Sequence, residues 1–290
     1  MRRRRTFRPP IPPPLPPGHV VELPGRGEVF CRRHVGGEPG APTLLLLHGW
    51  TASADLQWFT AYDALAARYP FVAIDHRGHG RGLRSTQPFT LEATADDAAA
   101  LVRALGLERV IVVGYSMGGP VALLVTQRHA DLVAGMVVEA TALDFSLMFF
   151  QRIRWSALPL LEAVLRSRLS RWFTNRLLAR EVENAPELDQ WVPWILAEIR
   201  RNDPTAIAEA GRSLARFDAG PWAGGLGVPA ASVITTADRL VAPSRQRALA
   251  EALGAEVFEL DGDHQVTVAQ PAAFAAATRR AVDAVAARVG

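Results

Sequence analysis

The chain predicts an α/β architecture, in which a mostly parallel central sheet is flanked by helices and interrupted by an inserted helical segment. Three observations carry the prediction. Short apolar runs at 43–47, 71–74 and 110–113 each end in a Gly-rich or polar turn and are each followed by a helical pattern, as buried parallel strands with crossover helices require. Near residue 144 this alternation gives way to apolar residues at helical spacing among many arginines, and it resumes at 230–234. The chain has 290 residues, 49% of them hydrophobic and 21% charged, which suits one large domain with an insertion and excludes disordered, collagenous and coiled-coil classes.

The elements follow in order. Residues 1–18, rich in Pro and Arg, read as a disordered or polyproline II tail, because proline density forbids a helix there. No apolar stretch of a signal peptide follows the arginines. Strand patterns at 20–23 and 28–32 flank Pro24-Gly25-Arg26-Gly27 and predict an antiparallel hairpin. After the three buried runs come an amphipathic helix at 91–105 closed by Gly106, a helix at 118–129 and a strand at 136–140. Beyond the insertion, the pattern predicts strands at 230–234 and 256–260 and helices at 244–253 and 272–287. The expected organisation is a core of 19–143 and 222–290 with a helical cap at 144–221.

Charge and cysteine narrow the function classes. Net charge is +3, but Arg2, Arg3, Arg4, Arg5 and Arg8 supply more than that, so the body is slightly acidic and no nucleic-acid partner is expected. The longest apolar runs fall far below the roughly 18 residues of a membrane span, so no integral membrane association is expected. Cys31 is the single cysteine, which rules out an intrachain disulfide and suits a reducing, cytoplasmic setting. Oligomeric state is not legible.

Chemistry concentrates in Gly114-Tyr115-Ser116-Met117-Gly118-Gly119, a G-x-S-x-G sequence between a strand and a helix. A serine on so sharp a turn needs small residues two before and two after it, and Gly114 and Gly118 supply them. The turn lifts the Ser116 hydroxyl out of the sheet, and the Met117 amide at the helix N-terminus points where an oxyanion would form.

With this motif the chain resembles the α/β-hydrolase superfamily, from about Gly27 to the C-terminus. Leu46-Leu47-His48-Gly49-Trp50 looks like the superfamily's strand followed by His-Gly, and the resemblance implies a second oxyanion donor at the Trp50 amide. Asp75-His76-Arg77-Gly78-His79-Gly80 is similar to its Asp-x-Arg-Gly-x-Gly turn. Asp238 stands after a late strand where the acid usually lies, and His264, followed later by Pro271, looks like the catalytic histidine. The order Ser116, Asp238, His264 agrees with nucleophile, acid, base. Ser116 needs an imidazole to take its proton, and that imidazole needs a carboxylate to fix its tautomer.

Glu139 and Asp144 are rival acids, because some members take the carboxylate from the earlier strand; Asp238 is preferred for its Asp-Arg-Leu-Val-Ala-Pro context. Asp263 is expected to form a turn. His48, His76 and His79 are better explained by backbone hydrogen bonds than by a metal, and neither metal nor cofactor is expected. A serine rather than an aspartate nucleophile argues against dehalogenase and epoxide hydrolase chemistry. The expected function is a serine esterase acting on small or medium apolar acyl groups through an acyl-enzyme. Carbon–carbon bond hydrolysis, cofactor-free perhydrolase or haloperoxidase-like transfer, and a non-catalytic ligand receptor are the alternatives.

Overall fold

The computed structural model describes residues 10–145 and 186–289, so residues 1–9 of the expected tail and 146–185 of the expected cap lie outside the described residues. Eight strands form one sheet: β1 (Gly18–Leu23), β2 (Gly27–His34), β3 (Thr43–Leu47), β4 (Phe71–Ile74), β5 (Val110–Tyr115), β6 (Val133–Glu139), β7 (Ala230–Thr235) and β8 (Glu256–Leu260). Their order is β1-β2-β4-β3-β5-β6-β7-β8. β2 runs antiparallel to β1 and β4, and every other pair is parallel.

The apolar runs are continuous because both faces of the central sheet are covered. Every residue of β4, β5 and β7 is buried. Side chains alternate across the pleat: Leu45, Leu47, Val110 and Val112 join the core under α3 (Leu91–Ala104) and α4 (Gly118–Arg128), while Leu44, Leu46, Ile111 and Val113 face the opposite core. That second core is completed by α1 (Ala54–Trp58), α2 (Tyr62–Ala66) and α9 (Pro271–Ala286). Local signals set the helix ends. The Thr90 hydroxyl caps α3 by accepting from the Ala93 amide, and the chain leaves that helix at Gly106 with φ +65°.

From the inserted region, the described residues contain a 3₁₀ turn at Pro186–Trp191, α5 (Val192–Ile199) and α6 (Pro204–Leu214). α5 places Trp194 and Ile195 in the α9-side core, with Trp194 edge-on to Phe59 at 5.3 Å. α6 places Ala210 and Leu214 in the other core. Next come α7 (Pro243–Leu253), which starts on a proline and ends at left-handed Gly254, and the short α8 (Val266–Ala269). No helix among the described residues is long and apolar enough to cross a membrane.

The expected tail ends too late at residue 18. β1 already begins at Gly18, Pro13 is buried, and Leu15 packs against the α9-side core. Proline lacks an N–H but keeps its carbonyl, and the body uses those acceptors: the Arg33 amide donates to Pro17 O at 3.0 Å and Arg32 Nη1 to Pro16 O at 2.9 Å.

Candidate active site

Ser116 sits at the C-terminal end of β5, between the strand and α4, with φ +52°. That conformation is costly for a residue with a side chain and is held by its surroundings. The Ser116 amide donates to Glu139 O at 2.9 Å, and its carbonyl accepts from the Gly119 amide at 2.9 Å. The glycines are sterically required. A Cβ on Gly114 would lie 2.2 Å from Gly118 O, and one on Gly118 would lie 2.2 Å from Leu47 O.

Two loops from the other half of the chain meet this turn. Ser116 Oγ lies 2.9 Å from His264 Nε2, and His264 Nδ1 lies 2.8 Å from Asp238 Oδ2. A carboxylate only accepts, so Nδ1 carries the proton and Nε2 is left to accept from the hydroxyl. All three side chains are buried. The Asp238 carboxylate is surrounded by donors: Leu240 and Val241 amides reach Oδ1 at 2.8 Å each, and Thr235 Oγ1 reaches Oδ2 at 2.7 Å. Gln246 Nε2 on α7 adds a contact at 3.2 Å and also donates to Thr235 Oγ1 at 2.8 Å. Thr235 and Gln246 escape sequence reading, because nothing in their spacing marks them.

His264 is fixed from its backbone as well. Tyr115 OH donates to His264 O at 2.8 Å, and the His264 amide donates to Asp263 Oδ1 at 2.8 Å. Asp263 turns away from the imidazole to Arg239, whose amide and guanidinium it accepts. Partial burial works to raise its carboxyl, but the amides of Arg239 and His264 and the Arg239 charge bring it below the usual carboxylate range.

The rival acids are placed elsewhere. Burial pushes the Glu139 carboxyl up to about 8, with the Thr278 hydroxyl on α9 opposing it, so this group is neutral at pH 7. Asp144 accepts from Arg245 Nη2 at 2.5 Å.

The loop after β3 brings Gly49 and Trp50 beside the serine: a Cβ on Gly49 would lie 3.3 Å from Ser116 Cβ. Several contacts hold that loop. His48 Nδ1 donates to Gly49 O at 2.8 Å while His48 Nε2 accepts from the His76 amide at 2.9 Å. Trp50 Nε1 donates to Ile207 O at 2.9 Å, and Asn202 Nδ2 donates to Thr51 O at 2.6 Å. His48, His76 and His79 are packed together, with the first two rings 4.1 Å apart. Burial lowers all three, His76 to about 3 and His79 to about 4, so they are neutral packing groups. No group of three such side chains among the described residues is arranged to hold a metal ion.

Asp75 and Arg77 of the turn after β4 are structural. Asp75 accepts from the Ala54 and Arg81 amides at 2.7 Å each, and Arg77 makes a two-pronged contact with Asp97 at 2.7 and 2.8 Å. A cavity of about 140 Å³ opens over Ser116 and His264, walled in part by Trp50, Leu56, Ile195 and Ile199.

The model of the α/β hydrolase fold matches residues 42–267, more than half of the chain. The chain belongs to the α/β-hydrolase fold family. Among curated relatives of this α/β hydrolase, a candidate carbamate hydrolase, RutD, of Caulobacter sp. (strain K31) is 39% identical over 106 residues, 36% of this chain and 39% of that protein. The match therefore spans about two fifths of that relative's length. A pimeloyl-[acyl-carrier protein] methyl ester esterase of Neisseria meningitidis is 28% identical over 203 residues, 69% of this chain and 77% of that protein. In solved structures the fold is shared with an enol-lactonase from Burkholderia xenovorans LB400, at TM-score 0.75 and 24% identity, covering 91% of this chain and 98% of that one.

Proposed function

We propose that this α/β hydrolase is a serine hydrolase that cleaves carboxylic esters through an acyl-enzyme, with Ser116 as nucleophile, His264 as base and Asp238 as orienter. The observation that carries the reading is the continuous hydrogen-bonded chain from Ser116 Oγ through both nitrogens of His264 to Asp238. In the reaction, Ser116 Oγ attacks the ester carbonyl as its proton passes to Nε2. The imidazolium then gives that proton to the departing alkoxide, and water repeats the cycle on the acyl-enzyme. The tetrahedral oxyanion would be met by the Met117 and Trp50 amides. Met117 opens α4, so the helix dipole adds to its amide.

The region 144–221 acts in this reading as a cap that supplies apolar walls to the acyl pocket, since Ile195 and Ile199 of α5 reach the cavity. The same triad can hand its acyl group to peroxide instead of water. A relative named non-heme haloperoxidase from Rhodococcus erythropolis, 36% identical over 114 residues, supports keeping that second reading.

A fluorophosphonate probe tests the core of the proposal: covalent labelling of wild type and none of Ser116→Ala is expected. p-Nitrophenyl esters from acetate to laurate then report pocket depth. Folded wild type that neither labels nor turns over any ester would overturn the assignment in favour of a ligand receptor.

A further inference from the structure

Gln57 lies on α1 and lines the cavity over Ser116. The Gly49 amide donates to its Oε1 at 3.3 Å. An N–H requires an acceptor, so this contact fixes the orientation of the carboxamide and directs the NH₂ group elsewhere. A Cβ placed on Gly49 would touch Gln57 Oε1 at 3.2 Å and Ser116 Cβ at 3.3 Å, which puts the carboxamide beside the nucleophile. Gln57 is only 5% exposed, and its Nε2 has no hydrogen-bond partner among the described residues. Among the described residues, several buried side chains hold a polar atom without such a partner, and of these Gln57 alone lines this cavity.

A buried N–H without an acceptor is costly, and in a cavity that must hold substrate the acceptor can come from the substrate itself. In the serine-hydrolase reading the leaving group is protonated by His264, and the acyl half of the substrate is assigned to the side of the cavity that holds the Gly49 loop and Gln57. We propose that Gln57 Nε2 donates to an acceptor oxygen in the acyl chain, so that the site selects acyl groups bearing an ether, keto or hydroxyl oxygen near the scissile carbonyl over plain alkanoyl groups. This refines the expectation of purely apolar acyl groups, and it rests on the serine-hydrolase reading for the reaction. A site built to hydrogen-bond a substrate oxygen discriminates strongly against the analogue lacking it.

The test compares p-nitrophenyl methoxyacetate with p-nitrophenyl butyrate, whose acyl groups share a shape and differ by one ether oxygen. The ratio of their kcat/KM values is measured in wild type, Gln57→Met and Gln57→Glu, and intrinsic ester reactivity cancels when variants are compared. Gln57→Glu keeps an acceptor for the Gly49 amide and, once its carboxyl is ionised, has no donor; the ratio is therefore followed from pH 7 to 9 and read on the high-pH plateau, where the variant separates substrate recognition from support of the loop. The expected result is a fall of about tenfold in the methoxyacetate-to-butyrate ratio in both variants. A ratio within twofold of wild type in Gln57→Glu overturns the inference. If wild type turns over neither ester, the serine-hydrolase reading fails, and the Gln57 inference is judged on dissociation constants of the same esters in the Ser116→Ala background. There, loss of the methoxyacetate preference on adding Gln57→Glu supports it, and an unchanged preference overturns it.

Discussion

Two carboxylates stand at the C-terminal ends of neighbouring strands, Glu139 closing β6 and Asp238 three residues past β7, and each is enclosed by the protein. Their surroundings differ completely. Asp238 sits in a tight loop whose amides, hydroxyl and carboxamide all donate to it. Glu139 lies beneath α9, where burial pushes its carboxyl up to about 8 and keeps it mostly neutral at pH 7. Depth alone therefore does not decide whether a buried acid can serve a cationic imidazole; the number of donors does. Glu139 meets the site through its main chain: its carbonyl, not its side chain, accepts from the amide of the strained Ser116.

The most severe way to break this contrast is to exchange each acid for its amide. Asp238→Asn should keep the fold and lower kcat by about 10³ to 10⁴, because the amide favours the wrong imidazole tautomer and no longer stabilises the imidazolium. Glu139→Gln should lower kcat by no more than a few-fold. Rates on one p-nitrophenyl ester, with circular dichroism to establish folding, distinguish them. Full activity in Asp238→Asn would remove Asp238 from the mechanism.

The next effect is on stability. The folded-state pKa of Glu139 lies above its ordinary value near 4.5, so between about pH 4.5 and 8 unfolding releases a proton and stability falls as pH rises. One such proton corresponds to about 1.4 kcal/mol per pH unit. Glu139→Gln removes the titration without changing the shape. Urea melts from pH 5 to 8 should therefore show wild type losing stability faster with rising pH than the variant. Parallel curves would mean that Glu139 is ionised in the fold and that the contrast with Asp238 is false.

The contrast marks where sequence reading succeeds and where it stops. Buried strands are legible because an unbroken apolar run closed by glycine has few other uses, and the run at 110–113, closed by Gly114, lies in the fully buried β5. Gly114 and Gly118 are legible because a steric demand leaves only glycine. α1, α2 and α8, with four or five residues each, are too short to show a helical period. Desolvation is a tertiary property, so the competition between Glu139 and Asp238 could be framed in sequence but decided only on resemblance. Thr235, Gln246 and Gln57 are ordinary polar residues along the chain, and they acquire meaning only from what folding sets beside them. The tail fails for a related reason: proline composition reports the missing N–H groups and says nothing of carbonyls accepting from Arg32 and Arg33.

A subtler probe thins the donors around Asp238. Thr235→Val preserves volume while removing the hydroxyl that donates to Oδ2 and accepts from Gln246. Hydrogen bonds to charged groups contribute about 1.5 to 3 kcal/mol, but two amides and Gln246 remain, so kcat should fall about tenfold. Thr235→Ser, which restores the hydroxyl, should recover most of the rate. A purely packing role would instead leave Thr235→Ser, which lacks the methyl, no better than Thr235→Val.

The smallest effect belongs to Asp144, the other rival acid. It is about one-third exposed and meets Arg245, the residue before Gln246 on α7. Solvent screens such a pair, and exposed ion pairs contribute about 0.2 to 1 kcal/mol. Asp144→Asn should therefore shift the melting temperature by a few degrees at most and leave kcat within about twofold. Raising the salt concentration should shrink even that difference, because the pair is screened while the buried chain from Ser116 to Asp238 is not. A large loss of kcat in Asp144→Asn, unaffected by salt, would show that the loop after β6 supports the Asp238 loop through Arg245 and α7. The donors around Asp238 would then depend on a surface contact for their alignment, and the loops after β6 and β7 would have to be treated as one coupled unit.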